Sequence, residues 1–193
     1  MSLYQKSDAF FKETQLESQS IFEGKVLHVC RDTIRLPNGK TSVREYCKHK
    51  GAVCIVPLTD DGKVICVRQY RYALGRVVLE IPAGKLDSVD EIPESAARRE
   101  LEEETGRSCL RLTSIGNLNT SPALLTEVIY MYLAEGLSNG MPHPDEDEFL
   151  EIVEIPLETL VDMILAGEIL DSKTQAAILK VWAMKQKEVL SGT

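Results

Sequence analysis

Apolar and polar positions alternate on both sides of "LPNG" at residues 36–39, so "SIFEGKVLHVCRDTIR" and "KTSVREYCKH" read as two strands joined by an Asn-Gly turn. Only a short amphipathic stretch precedes them. "GAVCIVPLTDDGKVICVRQYRY" then reads as a second, more apolar hairpin turning at Asp60, Asp61 and Gly62, and "VVLEIPAG" follows as a strand. The period next changes from two to nearly four. "ESAARRELEEET" is helical, with Asp90 as the expected N-cap, Pro93 in the first turn and Gly106 at the C-terminal end. "LRLTSIGNL" and "EVIYMYLAEGL" are strands, "PHPDEDE" is an acidic loop, and "FLEIVEI" is a further strand. "LETLVDMILAGEI" and "SKTQAAILKVWAMKQ" close the chain as helices with apolar residues three and four apart. No internal repeat, low-complexity tract or long linker interrupts the chain.

A chain of 193 residues can bury a full core and suits one catalytic domain with a small appendage. We expect residues 1–49 to form a β-rich N-terminal region and residues 50–193 the main domain. The net charge of -8 argues against nucleic acid or an anionic membrane as partner, because a phosphate surface would meet repulsion. No apolar run approaches the ~20 residues of a membrane span, and the first residues lack the apolar stretch of a signal peptide. The expected location is the cytoplasm. Cys30, Cys47, Cys54, Cys66 and Cys109 form no CxxC pair and read as reduced residues, several of them within apolar runs.

One segment breaks the ordinary rules of helix design. At about 100° per residue Glu100, Glu103 and Glu104 share a sector of roughly 100°, while Glu102 points away. Like charges at this spacing cost roughly 0.2 to 0.5 kcal/mol per pair. Their place in the C-terminal half of the helix adds an unfavourable interaction with the macrodipole. A solvated acidic surface is the bland explanation. A bound cation would relieve both penalties, and "IPAGKLD" brings a glycine, hence a close backbone carbonyl, towards the same spot. His28, His49 and His143 lie outside this segment, so oxygen ligands point to Mg²⁺ or Mn²⁺ rather than zinc.

The segment resembles the Nudix box through Gly84, Glu91, Arg99, Glu100, Leu101, Glu103, Glu104 and Gly106. It departs from that pattern in having six residues between Gly84 and Glu91 rather than five, and in Arg107 where the family has an apolar residue. Pro122, sixteen residues after Gly106, together with "VRQYRYALGRVVLEIPAGKLD", "REYCKHKGAV", "DEDEFLEI" and "GEILDSKTQAAI", is similar to the ADP-ribose pyrophosphatase subgroup. The resemblance covers nearly the whole chain. It implies a Nudix α/β/α sandwich with a mixed sheet, plus a small N-terminal antiparallel β domain exchanged across a homodimer.

The resemblance also implies roles. Metal ligation falls to the Ala83 backbone, Glu100 and Glu104, with Glu103 as a further ligand or bridge and Arg99 orienting the carboxylates. Arg71 would contact the diphosphate, and Arg44 with Glu45 would reach the substrate from the N-terminal region, although Arg44 reads equally as a surface strand cation. Pro122 marks a substrate-side loop. Glu146 is the expected general base and Glu148 a metal contact, in roles that could be exchanged. Phe22 and Tyr46 are candidates for stacking on the base, or core residues.

The implied reaction is in-line attack of a metal-activated water on one phosphorus of ADP-ribose, giving AMP and ribose 5-phosphate. Alternatives are cleavage of GDP-mannose or another nucleoside diphosphate sugar and, with less support, a domain that binds ADP-ribose without cleaving it. No Ser/His/Asp arrangement or activated cysteine suggests a covalent route.

Overall fold

The computed structural model describes residues 6–145 and 148–191. After a 3-10 turn, Asp8–Phe11, come β1 (Thr14–Glu23), β2 (His28–Arg35), β3 (Thr41–Lys48), β4 (Ala52–Pro57), β5 (Lys63–Arg71), β6 (Arg76–Glu80) and β7 (Ala83–Lys85). Then follow α1 (Pro93–Thr105), β8 (Arg107–Leu118), β9 (Ile129–Asn139), β10 (Glu151–Pro156), α2 (Leu157–Leu165) and α3 (Ser172–Ser191). The described residues form two compact units. One holds the chain up to His49 together with Ser121–Glu127, and the other holds Lys50–Thr120 and the chain from Val128 onward.

In the first unit β2 and β3 form the expected hairpin, closing at Arg35 opposite Thr41, with Gly39 in the turn at φ 82°. The stretch before it is not merely an amphipathic lead-in, because β1 adds a third antiparallel strand beside β2. Its alternation is hidden for a physical reason. All ten residues of β1 are exposed, and two register shifts break the period of two.

In the second unit, β4 shows how the core is divided. It is buried at every position, and its neighbours are β7, antiparallel, and β9, parallel, in the sheet order β7-β4-β9-β8. Val53 and Ile55 pack with Ala96, Ala97 and Leu101 of α1. Cys54 and Val56 pack on the other side with Leu160 and Ile164 of α2 and with Ala177, Ile178 and Val181 of α3. Period-two alternation in a strand buried on both faces therefore produces the helix–sheet–helix layering.

The second hairpin expected from sequence is corrected here. Both edges of β4 are already taken, so β5 leaves after the Asp60–Gly62 turn and joins a separate antiparallel sheet, β10-β5-β6. Only the bridge between Leu58 and Val64 remains of that pairing. The helix start is also one turn element later than expected. Ile92, not Asp90, is the N-cap, at φ -69° and ψ 119°, with Pro93 directly after it. Proline holds its predecessor in extended backbone, which makes Ile92 the last non-helical residue. Gly106 ends α1 at φ 66°, as the sequence implies.

Candidate active site

Helix α1 lays its acidic face against β7. Glu104 is 2% exposed and accepts a hydrogen bond from the Ala83 N–H at 3.1 Å. Glu100 is 8% exposed and lies over Gly84, where an added Cβ would sit 2.0 Å from its Cδ. Only glycine leaves room for that carboxylate. Glu103 is partly exposed and Glu102 fully outward, as the helical spacing demands.

Burial pushes the Glu104 carboxyl up to about 8, with Glu100 and Glu148 adding repulsion against the relief given by the Ala83 N–H. Burial likewise pushes Glu100 up to about 7, partly offset by Arg99 and reinforced by Glu103 and Glu148. Burial thus disfavours the charged form of both carboxyls, and a cation beside them would favour it.

Arg99 is the hub of this face. Its Nη1 donates to Glu100 Oε1 at 2.8 Å and to Glu103 Oε2 at 2.9 Å, and its Nη2 donates to the Lys85 carbonyl at 3.3 Å. Burial opposes its charge, but Glu100 and Glu103 hold its pKa above the usual arginine range. Glu91 reaches it at 3.5 Å despite the six-residue spacing from Gly84, and Asp87 stands 3.8 Å from Nε. The extra residue is absorbed in the loop, where Glu91 Oε2 accepts the Asp87 N–H at 2.5 Å.

The donor set suits a hard divalent cation. It offers carboxylate oxygens that burial leaves short of counter-charge, and a glycine that keeps one of them close to the backbone. Among the described residues no three His, Cys, Asp or Glu side chains stand gathered as a ready cage. Arg99 bridges Glu100 Oε1 and Glu103 Oε2, while the Ala83 N–H holds Glu104 Oε2, so these bonds leave the second oxygen of each carboxylate for a cation.

Arg71, at the end of β5, belongs to a group that the sequence reading missed. Glu80, 2% exposed at the end of β6, takes Arg71 Nε at 2.8 Å and Nη2 at 2.7 Å, and it also pairs with Lys173 of α3. The Arg71 charge lowers the Glu104 pKa against the larger effect of burial. A lone Glu closing the apolar run "VVLE" was the available signal.

The start of the acidic loop is seated on the end of α1. The His143 N–H donates to the Glu103 carbonyl at 2.9 Å, and a Cβ on Gly106 would meet Pro142 N at 2.5 Å. Glu148 contributes to the potential at Glu100 and Glu104, while Glu146 lies outside the described residues.

The remaining predicted residues belong to the first unit. Arg44 pairs with Glu13, its Nε 3.0 Å from Oε2, and Glu45 accepts from Arg31 Nη2 at 2.7 Å. Pro122 is exposed in the 121–127 segment. Phe22 is 54% exposed, and Tyr46 donates to Asp32 at 3.2 Å. A cleft of about 470 Å³ beyond the end of β4 holds none of the predicted groups, and its cations Arg111 and Lys185 both pair with Glu135.

A mixed sheet between helices, carrying a carboxylate-lined helix over a glycine strand, defines a hydrolase of the Nudix type. The NUDIX domain model matches residues 48–175, and the model for a nucleoside diphosphate sugar hydrolase N-terminal domain matches residues 13–46. The chain belongs to the Nudix family.

It is 44% identical to an ADP-ribose pyrophosphatase of Bacillus subtilis (strain 168), over 86% of this chain and 91% of the relative. It is 40% identical to a protein of Bacillus methanolicus named methanol dehydrogenase activator, over 87% and 91%. A crystal structure of an ADP compounds hydrolase superposes with a TM-score of 0.82 at 24% identity, covering 94% of this chain and 98% of the other. Nudix hydrolases generally use divalent metal ions.

Proposed function

We propose that this protein hydrolyses the diphosphate bond of ADP-ribose, giving AMP and ribose 5-phosphate. The observation that carries the reading is the buried pair Glu100 and Glu104, raised over Gly84 and Ala83 with Arg71 beside them. The 44% identical relative named ADP-ribose pyrophosphatase supports the choice of substrate.

Glu100, Glu104, the Ala83 backbone, Glu103 and Glu148 are the groups that would hold Mg²⁺ or Mn²⁺. Such an ion supplies positive charge for the diphosphate and acidity for water. Arg99 keeps Glu100 and Glu103 turned to the same side and lowers the repulsion between them. Arg71 offers its guanidinium to the phosphoryl oxygens, where charge grows during in-line displacement. Glu148, whose charge acts on Glu100 and Glu104, or Glu146 accepts the proton of the attacking water.

Arg44 and Glu45 contact the substrate from the N-terminal region, residues 1–49, and Pro122 from its loop; the second role of the N-terminal region is to form a homodimer. Support for the dimer is the exposed strand β1, which presents Leu16, Ile21 and Phe22 at 44%, 45% and 54% exposure. Light scattering at micromolar concentration tests it, and a monomer mass would exclude it. No described helix is long and apolar enough to cross a membrane. Five unpaired thiols suit the reducing cytoplasm, the location we assign.

The test of function is release of AMP and ribose 5-phosphate from ADP-ribose with MgCl₂, beside GDP-mannose and ADP-glucose, for the wild type and Glu104→Gln. Metal-dependent cleavage of ADP-ribose that collapses in the variant is expected. Preferential cleavage of GDP-mannose would keep the site and overturn the substrate. Binding of ADP-ribose without cleavage under either metal would replace the enzyme by a sensor.

A further inference from the structure

The first turn of α3 grips two consecutive residues, Glu80 at the end of β6 and Ile81 just after it, on the chain that leads into the site. Lys173, 9% exposed, pairs with Glu80 and stands 3.1 Å from Asp171 Oδ1. The other oxygen of Asp171 accepts the Thr174 N–H at 2.9 Å and its hydroxyl at 2.5 Å. Thr174, wholly buried, in turn accepts the Ile81 N–H at 3.0 Å. Glu80 is therefore held by its side chain and Ile81 by its backbone.

Each grip points towards a different half of the site. Glu80 forks Nε and Nη2 of Arg71, which leaves Nη1 outside the fork on a side chain that is 42% exposed. Ile81 leads through Pro82 to Ala83 and Gly84, on which Glu104 and Glu100 rest.

Stability alone is a poor reason for such a cluster. Glu80 and Lys173 are buried, and taking such a pair out of water costs desolvation that well-packed apolar residues avoid. The arrangement does, however, serve an anion. Were Glu80 paired with Arg71 alone, the carboxylate would cancel most of the field that Arg71 presents to a diphosphate. Lys173 shares Glu80 and is itself held by Asp171, so the carboxylate is not left to Arg71 alone while the fork fixes the guanidinium plane.

We propose that Asp171, Lys173 and Thr174 are positioning residues for both halves of the site, an inference that rests on the function assigned above. Lys173, through Glu80, sets the Arg71 guanidinium that receives the diphosphate. Thr174, through Ile81, sets the Ala83–Gly84 segment beneath the metal-facing carboxylates.

The experiment uses the full chain with Lys173→Met and Thr174→Val, each beside its conservative partner, Lys173→Arg and Thr174→Ser. Three quantities are read: kcat and KM for ADP-ribose at saturating MgCl₂, Mn²⁺ affinity without nucleotide from the free-ion EPR signal, and Tm. Lys173→Met is expected to raise KM about tenfold, as loss of an oriented charge contact does, with Mn²⁺ affinity unmoved. Lys173→Arg should restore most of it. Thr174→Val is expected to weaken Mn²⁺ about fivefold, through a displaced ligand segment, with KM unmoved. Thr174→Ser should behave as the wild type.

Loss of Tm and kcat in both variants without this split would reduce the turn to a structural element and overturn the proposal. Should Lys173→Met fail to fold, Lys173→Gln must show the KM shift or the Lys173 half is wrong. Should Thr174→Val fail to fold, Thr174→Ala must show the Mn²⁺ shift or the Thr174 half is wrong. A wild type that cleaves no nucleotide sugar would refute the assigned function separately. The Lys173 half is then decided by calorimetric binding of inorganic pyrophosphate, weakened or not, and the Thr174 half by Mn²⁺ affinity as before.

Discussion

Replacing Gly84 with alanine puts the smallest possible side chain into the tightest place in the site. The new Cβ would lie 2.0 Å from Glu100 Cδ and Oε1 and 2.2 Å from Oε2, whereas real contacts of this kind do not fall below 3.0 Å. The carboxylate must therefore retreat by about 1 Å, and it can, because it is the far end of a flexible side chain. Gly84 does not occupy left-handed backbone, so alanine is sterically allowed by the main chain. The unfolded chain loses entropy on the change, worth ~0.4 to 1 kcal/mol in favour of folding. Stability should consequently stay near that of the wild type.

Activity should not. A 1 Å misplacement of a positioned group costs on the order of 100-fold in rate, or about 2.7 kcal/mol of barrier. The assay is AMP release from ADP-ribose over a MgCl₂ titration, with Tm measured on the same samples. We expect kcat to fall about 100-fold and half-activation to need more metal, while Tm moves by less than about 3 °C. A variant with kcat within threefold of the wild type and an unchanged metal requirement would show that Glu100 does not act from the place described.

Three further outcomes follow from other parts of the structure. A cation that binds only the folded chain should raise Tm by roughly 5 to 10 °C at a hundredfold excess over Kd, and a Tm equal in MgCl₂, MnCl₂ and EDTA would exclude a native metal site. Burial raises the Glu80 pKa, but Arg71 and Lys173 together bring it below the ordinary value of 4.5. The folded chain therefore binds fewer protons at Glu80 than the unfolded chain, and its stabilisation is complete above pH 4.5 and lost as pH falls through the folded value. Glu80→Gln should cost about 1 to 3 kcal/mol in urea denaturation at pH 7, by removing the carboxylate that Arg71 shares with the buried Lys173, and should flatten the acid limb; equal wild-type and variant slopes would refute this. Burial pushes the Cys54 and Cys66 thiols up to about 12, so alkylation of the native protein at pH 8 should spare both until denaturant is added. Rapid labelling of either in native buffer, read by mass spectrometry, would contradict the packing around β4.

Much of this molecule is legible along the chain because its signals are local. The β2–β3 hairpin announces itself through Asn38-Gly39, and α1 through Pro93, Gly106 and acids three and four residues apart. The acidic face of α1 is a geometric consequence of 3.6 residues per turn, so Glu100, Glu103 and Glu104 could be grouped, and Glu102 set aside, before any coordinates. Glu91 shows where local spacing falls short. Its six-residue distance from Gly84 departs from the family spacing, yet the loop closes on itself and delivers the carboxylate to Arg99.

What the chain did not disclose depends on which edges and faces are already occupied. Whether "VICVRQYR" pairs with "AVCIVP" is settled by β7 and β9 taking both sides of β4, a fact distributed over residues 52 to 139. β1 was not separated from its neighbour, since its last four residues, Ser20–Glu23, read as the start of the next strand, and a strand exposed along its length carries no alternation to mark its end. The Glu80 cluster is the strongest case. Lys173 and Glu80 are 93 residues apart and each looks like an ordinary charge in its own segment. Only the packing of α3 against the sheet makes them partners. Periodicity and capping record what each segment prefers, so the sequence by itself determined the elements and the acidic helix. Pairing of buried charges depends on desolvation and distance between segments remote in the chain, so the tertiary structure alone decided what stands behind Arg71.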